Sequence, residues 1–406
     1  MDHPPRRIAL LGSTGSIGQS TLEVVAASRG RLEVVALAAR QRLADLCKQA
    51  RQLRPRFVVA TDAEAARGFD WSQLPRETEP LIGPEGLSRI VRLPEVDIVL
   101  SAIVGSAGLT GTWEALDAGK PVALANKETL VMAGPQVMRL SAQRGAKILP
   151  VDSEHSAVFQ LLEGQSRDQW SRCTADDPPT PPRPLVAALK RIILTASGGP
   201  FRCWSREQME TATVADALAH PTWRMGDKIT IDSATMMNKA LEIIEARWLF
   251  DLPPEQIEVV VHPQSVVHSL VEYVDGSVLA QLSPPDMKLP IQYALTWPER
   301  QPSPARRLDW TEALRLEFEP PDEDRFPALK LGREVAAAGG TAGAVLNAAN
   351  EAAVASFLAG EMPFMEIVPA CRAVLESHHF DAEPSLDELL VLDGWARQEM
   401  QRWIVA

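Results

Sequence analysis

Between residues 220 and 247 the chain runs HPTWRMGDKITIDSATMMNKALEIIEAR, gathering His220, Lys228, Ser233, Asn238, Lys239, Glu242 and Glu245. These are side chains that a phosphorylated, metal-bound substrate needs: hydroxyl, amide and ammonium for phosphate, carboxylate for a cation. Asn238, Lys239 and Glu242 stand at i, i+1 and i+4. On a helix this puts Asn238 and Glu242 on one face, with Lys239 about 100° around the axis. A solvated helix carries Lys and Glu at such spacings too. Their crowding directly after Asp232-Ser233-Ala234-Thr235 favours a functional site.

A second acidic group follows a short apolar run at 147–151: Asp152-Ser153-Glu154-His155. Asp152 or Ser153 could cap a helix starting near Ser156, with Glu154 favoured by the helix dipole. Capping accounts for one acid better than for two. If Glu242 lies alongside, three hard oxygen ligands converge, a set suited to Mg²⁺ or Mn²⁺, with Co²⁺ a third candidate, rather than to zinc.

Such ligands must be positioned by elements upstream. The first 150 or so residues alternate strand-like and helix-like stretches, the pattern of a doubly wound parallel sheet. Residues 7–11 enter Gly12-Ser-Thr-Gly15-Ser-Ile-Gly18 and then a helical stretch, 19–28. Strand, glycine turn and helix N-terminus together suit a dinucleotide pyrophosphate, although glycine turns also merely reverse chains. The second strand, 32–38, runs into Ala39-Arg40-Gln41-Arg42 where an NAD-binding domain usually carries an acid. Arginine binds a 2′-phosphate that a carboxylate would repel, so NADP is expected; the alternative is that Arg40 and Arg42 begin a solvated helix. Later strands end in Val104-Gly105-Ser106-Ala107-Gly108 and in Asn126-Lys127-Glu128, at the strand ends where parallel sheets bind ligands.

The division expected is 1–151 for a dinucleotide-binding domain, 152–296 for a catalytic domain with a lid near 197–227, a proline- and charge-rich linker at 297–327, and a helical domain at 328–406. The stretch 165–184 reads as an exposed loop, and 266–282 as a hairpin turning at Asp275-Gly276. Small residues dominate the last helices, which implies close packing without evident chemistry. Ser385 and Glu388 have capping-box spacing.

A chain of 406 residues, 46% hydrophobic, can build two or three cores. A net charge of −12 argues against nucleic acid or an anionic membrane as partner. The four cysteines, Cys47, Cys173, Cys203 and Cys371, show neither disulfide nor zinc spacing. No apolar run reaches spanning length, and the first strand begins by Ile8, so a cytoplasmic protein is expected.

The stretches GSTGSIG (12–18), ANKETLV (125–131), PVDSEH (150–155), TASGGPF (195–201), HPTW with MG (220–226), IDSATMMNKALE (231–242) and HPQSVVHS (262–269) occur in an order that closely resembles the 1-deoxy-D-xylulose 5-phosphate reductoisomerase family over nearly the whole chain. The resemblance implies NADPH on Thr14, Gly15, Ser16 and Ile17, with Arg40, Gln41 and Arg42 at the adenosine phosphate and further contacts at Asn126, Glu128 and Gly226. It implies divalent-metal ligands at Asp152, Glu154 and Glu242, and contacts to a phosphorylated sugar at Lys127, Ser153, Ser197, His220, Ser233, Asn238 and Lys239. Lys127 would also assist proton movement, Trp223 and Met225 would belong to the lid, and the assembly would be a homodimer. Arg40-Gln41-Arg42 departs from the family's usual loop, and 165–184 is longer than the family needs. His262 and His268 suit a structural or dimer-facing role as well as a catalytic one. A semialdehyde-dehydrogenase-like reaction would require an activated cysteine at a strand end, which no cysteine here provides. A non-catalytic NADP sensor would have no use for three carboxylates and a phosphate cluster.

Overall fold

The computed structural model describes residues 4–163 and 188–405. The expected loop at 165–184 lies outside the described residues. Strands β1 (Arg6–Leu11), β2 (Leu32–Ala39), β3 (Phe57–Ala60), β4 (Glu79–Ile82), β5 (Ile98–Ser101), β6 (Val122–Leu124) and β7 (Ile148–Pro150) form a seven-stranded sheet in the order β4-β3-β2-β1-β5-β6-β7. Every pairing is parallel. Runs such as Phe57–Ala60 and Ile98–Ser101 are buried at every position, because helices cover both faces of a parallel sheet. The connecting helices are α1 (Ser16–Ala27), α2 (Leu43–Leu53), α3 (Ala63–Ala66), α4 (Glu85–Val91), α5 (Gly108–Asp117) and α6 (Glu128–Arg144). The strand order reverses between β1 and β5, which opens a crevice at their C-terminal ends.

Beyond β7, α7 (Ser153–Glu163) packs on a second sheet of β8 (Leu189–Ala196), β9 (Ile257–Val261), β10 (Val267–Tyr273) and β11 (Val278–Leu282), ordered β11-β10-β8-β9. Only β8–β9 is parallel; β10 and β11 form the expected hairpin, with Gly276 at φ +86° in its turn. The long crossover from β8 to β9 carries α8 (Arg206–Glu210), α9 (Val214–Leu218), α10 (Asp227–Ala234) and α11 (Met237–Leu249). α12 (Lys288–Thr296) returns to pack on α1. Residues 297–327 contain no helix or strand but are docked: Val261 and Glu319 exchange backbone hydrogen bonds of 2.9 Å each way. The chain closes with α13 (Ala328–Ala338), α14 (Ala342–Leu358), α15 (Ile367–Ser377) and α16 (Leu386–Val405), the last entered through the expected Ser385/Glu388 capping box. α11 is wedged between α6 and α13. A Cβ on Gly332 would lie 2.7 Å from Ala240, so glycine permits the close approach of α13 to α11. Among the described residues no helix is long and apolar enough to cross a membrane.

Candidate active site

A cleft of about 970 Å³ lies where the parallel strands end, walled opposite by α10, α11 and the turn after β8. α11 supplies its most charged wall. Ile243, Ile244 and Leu241 bury this helix in the core, and Lys239, Glu242 and Glu245 go in with them. Buried charges must be paired, and Lys239 and Glu242 are. Lys127, in the β6–α6 turn, places Nζ 2.5 Å from Asp152 Oδ2, 3.2 Å from Glu242 Oε1 and 2.8 Å from Asn238 Oδ1. Lys239 Nζ donates to Glu154 Oε1 at 2.6 Å and also to Glu242 Oε2. Asn238 Nδ2 donates to Glu242 Oε1 at 2.5 Å, as expected for i, i+4 on one face. Ser153 Oγ donates to Glu154. Two ammoniums thus hold three carboxylates together.

The electrostatics follow from that arithmetic. Burial pushes the Glu242 carboxyl up to about 7, helped by the charge of Glu154 and opposed by Lys127 and Lys239. Burial pulls the Lys127 ammonium down, but Asp152, Glu242 and Glu245 hold it well above its ordinary range. Burial would raise Asp152 too, yet Lys127 beside it keeps this carboxyl below the usual carboxylate range. Oxygen atoms of Asp152, Glu154 and Glu242 all lie within 4.8 Å of one another, a spacing that fits one hard cation. Asp152, His155 and Glu245 satisfy the same limit. His155 and Glu245 are buried away from the cleft lining, so a substrate could reach only the first group. His155 Nε2 donates to the Glu242 carbonyl at 3.0 Å, leaving Nδ1 as an acceptor 3.3 Å from Glu245 Oε2. Burial pushes the imidazole down to about 4 and the Glu245 carboxyl well up. α7 begins at Ser153, three residues earlier than expected; the Asp152 carbonyl accepts from Ser156 N, while its carboxylate serves Lys127.

Across the cleft, His220 Nδ1 accepts from the backbone N–H groups of Thr222 (3.1 Å) and Trp223 (2.9 Å), which places the ring proton on Nε2, facing Ser197 Oγ at 3.0 Å. Ser197 Oγ also accepts from Gly199 N, leaving its own proton free to donate. Gly199 has φ +67°, and a Cβ there would come 2.4 Å from the Ser233 carbonyl, so glycine lets the Ser197 turn close on Ser233.

On the sheet side, a Cβ on Gly12 (φ +86°) would meet Ala102 O at 2.4 Å, and one on Gly18 would meet Ser13 O at 2.3 Å. Gly15 meets nothing closer than 3.4 Å, and α1 has no side-chain cap, so its first N–H groups stay available to an anion. Ser16 and Ile17 line the cleft, as do Asn126, Glu128 and Gly226. Thr14 and Gly15 sit in the turn beneath. Arg40, Gln41 and Arg42 are exposed at the end of β2, outside the cleft lining. There Asp62, the cap of α3, accepts from Gln41 Nε2 at 2.9 Å and lies 3.8 Å from Arg40 Nε, a neighbouring carboxylate that sequence reasoning missed.

The segment 197–227, where a lid is expected, carries regular structure of its own. Residues 205–218 hold two short helices, each with a capping box, Ser205/Gln208 and Thr213/Asp216. Phe201 is fully buried, with ring centroids 4.6 Å from Trp204 and 4.7 Å from Phe364; Met209 and Ala217 are buried too. Residues 219–226 lack helix or strand, as do 197–205 and 211–213, and from 219–226 His220, Trp223 and Met225 line the cleft. His262 is fully buried with Nδ1 donating to Glu317 O, its ring stacked on Phe318, a structural role. His268 lines the cleft with its ring 6.3 Å from Trp223. Lys228, grouped by sequence with the other polar residues of 220–247, pairs with Asp232 at 2.8 Å, an i, i+4 spacing on its helix.

Three family models match the chain: 1-deoxy-D-xylulose 5-phosphate reductoisomerase over residues 8–134, its C-terminal domain over 148–250, and the DXP reductoisomerase C-terminal domain over 282–399. The chain is 50% identical over 430 residues to a 1-deoxy-D-xylulose 5-phosphate reductoisomerase of Rhodopirellula baltica, covering 98% of this chain and 94% of that protein. It is 51% identical over 394 residues to that of Geobacter sp. strain M21, covering 97% of each. Among solved structures, DOX-P reductoisomerase in complex with NADPH, fosmidomycin and magnesium superposes with a TM-score of 0.90 at 42% identity, covering 98% of both chains. The Zymomonas mobilis enzyme in complex with NADPH gives 0.84 at 41%, covering 98% of this chain and 99% of that one. The chain belongs to the 1-deoxy-D-xylulose 5-phosphate reductoisomerase family.

Proposed function

We propose that the chain catalyses the NADPH- and divalent-metal-dependent rearrangement and reduction of 1-deoxy-D-xylulose 5-phosphate to 2-C-methyl-D-erythritol 4-phosphate, a step of isoprenoid precursor synthesis. The observation that carries this reading is that Asp152, Glu154 and Glu242 converge, bridged by Lys127 and Lys239, in the same cleft as the glycine turn at the end of β1. These residues fit a hard divalent ion, Mg²⁺, Mn²⁺ or Co²⁺: all donors are oxygen, and each carboxylate already bonds a cationic side chain. Held there, the ion would offset charge developing on the substrate's ketone and hydroxyl oxygens. NADPH would supply the hydride.

The chain's own groups do the rest. Ser197, Ser233, Asn238 and Lys239 hold the phosphate, with His220 Nε2 fixing the Ser197 hydroxyl so that its proton points outward. Lys127 Nζ, within 3.2 Å of two carboxylates, carries a proton between substrate hydroxyls as the carbon skeleton rearranges. Ser153 steadies Glu154 and lies at the substrate's reacting end. Thr14, Gly15, Ser16 and Ile17 receive the pyrophosphate, Asn126, Glu128 and Gly226 the nicotinamide half, and Arg40, Gln41 and Arg42 the 2′-phosphate. Residues 219–226, with Trp223 and Met225, cover the bound substrate and exclude water.

The three-part division stands on the same footing: β1–β7 for the cofactor, the second sheet with α10 and α11 for metal and substrate, and the helices from 328 onward closing the far side. A homodimer is supported by the β11 edge strand, where Val278 and Leu279 are exposed, and by exposed Trp310, Leu314 and Phe318 in the docked 297–327 segment. Free Cys47, Cys203 and Cys371 suit a cytoplasmic setting. Incubation with NADPH, Mg²⁺ and 1-deoxy-D-xylulose 5-phosphate should yield 2-C-methyl-D-erythritol 4-phosphate by mass and NMR spectra. Recovery of unchanged substrate under those conditions refutes the reading.

A further inference from the structure

Five side chains form an unbroken polar chain that runs along the cleft wall and ends behind it at Asn350. Asn126 Nδ2 donates to Glu128 Oε2 (2.9 Å), and Glu128 Oε1 accepts from Lys228 Nζ (2.9 Å). The same ammonium lies 2.8 Å from Asp232 Oδ2, and Asp232 Oδ1 accepts from Asn350 Nδ2 at 2.8 Å. Each buried carboxylate thus gives one oxygen to Lys228 and the other to an amide, which satisfies both. The sequence places these partners far apart: 100 residues separate Lys228 from Glu128, and 118 separate Asn350 from Asp232.

The chain runs through α10, a helix of eight residues. Gly226 is its N-cap and Ser233 lies in its last turn, so a single short rod presents one residue proposed for the cofactor and another proposed for the substrate phosphate. An eight-residue helix has little stability of its own and takes its orientation from its contacts. Lys228 ties its first turn to the β6–α6 turn, and Asn350 ties its second turn to α14. The next residue of α14 extends the grip: Glu351 pairs with Arg397 at 2.7 Å, and Arg397 donates to Ser106 Oγ at 3.2 Å in the loop that Asn126 also holds through Ile103 O and Gly105 O.

We propose that Lys228, Asp232 and Asn350 are positioning residues that set the orientation of α10, aligning Gly226 with the cofactor and Ser233 with the substrate, so that the C-terminal helices are a working part of the cleft. The inference rests on the function proposed above. Burial would strip the Lys228 proton, but Asp232, Glu128 and Glu351 keep its charge firmly in place.

Asn350 is fully buried and absent from the cleft lining, so Asn350→Ala touches neither ligand. It should raise KM for NADPH and for substrate together, each by about tenfold, with a fall in kcat, because one hydrogen bond to a buried charge is lost and both contacts shift with the helix. Lys228→Met should do the same more severely, and Lys228→Arg should recover part of the loss. Ser233→Ala, by contrast, should raise KM for the substrate alone. If Lys228→Met fails to fold, Asn350→Ala carries the test. Both constants staying within about twofold of wild type in Asn350→Ala, or a change confined to one ligand, would overturn the inference. Wild-type turnover is measured first: its absence would overturn the function and this inference with it, whereas an active wild type beside an unaltered Asn350→Ala overturns the inference alone.

Discussion

Glu242→Gln removes one charge from the cluster while nearly keeping its shape. Glu242 is fully buried; its Oε1 accepts from Lys127 and Asn238, and its Oε2 from Lys239. Three carboxylates against two ammoniums leave one negative charge in excess (three minus two), and glutamine brings the excess to zero. Folding should survive, since Lys127 keeps Asp152 and Lys239 keeps Glu154. A unit charge pair near 4 Å contributes about 4 kcal/mol at an effective dielectric of 20, and a divalent ion doubles that gross attraction to about 8 kcal/mol. If desolvation offsets roughly half, about 4 kcal/mol is lost, a ~1,000-fold weakening of metal binding. Calorimetric titration of Mg²⁺ into NADPH-saturated protein reads this directly, with the NADPH dissociation constant, from fluorescence, staying within about twofold of wild type. Glu245→Gln is the companion, because Glu245 belongs to the other acidic group around Asp152. The reasoning fails if Glu242→Gln binds Mg²⁺ within about tenfold of wild type while Glu245→Gln does not.

Four further outcomes are expected. Because the Glu242 carboxyl is held up to about 7, Mg²⁺ must displace its proton at lower pH; affinity should fall about tenfold per pH unit below that value, with about one proton released at pH 6, and a flat profile from pH 6 to 8 would contradict it. Replacing Arg40 and Arg42 together by Ala should raise KM for NADPH far more than for NADH, and an equal rise would place the 2′-phosphate elsewhere. A phosphonate bearing a hydroxamate, bound with metal, should slow amide exchange in 219–226 and leave the helices at 206–218 unchanged, since Phe201, Met209 and Ala217 already anchor them; Trp223→Ala should weaken its binding by about 2 kcal/mol. Gly199→Ala should cost at least about 2 kcal/mol of stability or most of the activity, because its Cβ would enter the space of Ser233 O at positive φ; a variant melting and turning over as wild type would show that the turn yields easily.

What the sequence made legible was local. The glycine turn sits between β1 and α1, and Asn238 and Glu242 meet on one face of α11, because strand, turn and helix periodicities are written in neighbouring residues. What it did not disclose depends on distant segments meeting. Lys127 and Glu242 are 115 residues apart, and nothing in either stretch announces that two lysines will hold three carboxylates together. In sequence Asn350 is one small polar residue in an alanine-rich helix; only the packing of α14 sets it against Asp232. Within 197–227 the capping-box spacings Ser205/Gln208 and Thr213/Asp216 are the signal of two helices that are too short to show apolar periodicity.

The central claim is that Asp152, Glu154 and Glu242 form one metal site facing the substrate. Anomalous diffraction at the manganese edge, from crystals grown with Mn²⁺ and NADPH, locates the ion without assumptions about activity. The account predicts one peak, about 2.2 Å from an oxygen of each of these three carboxylates and open to the cleft on its remaining sides. A peak beside His155 and Glu245, away from the cleft, or none at a saturating Mn²⁺ concentration, would contradict it.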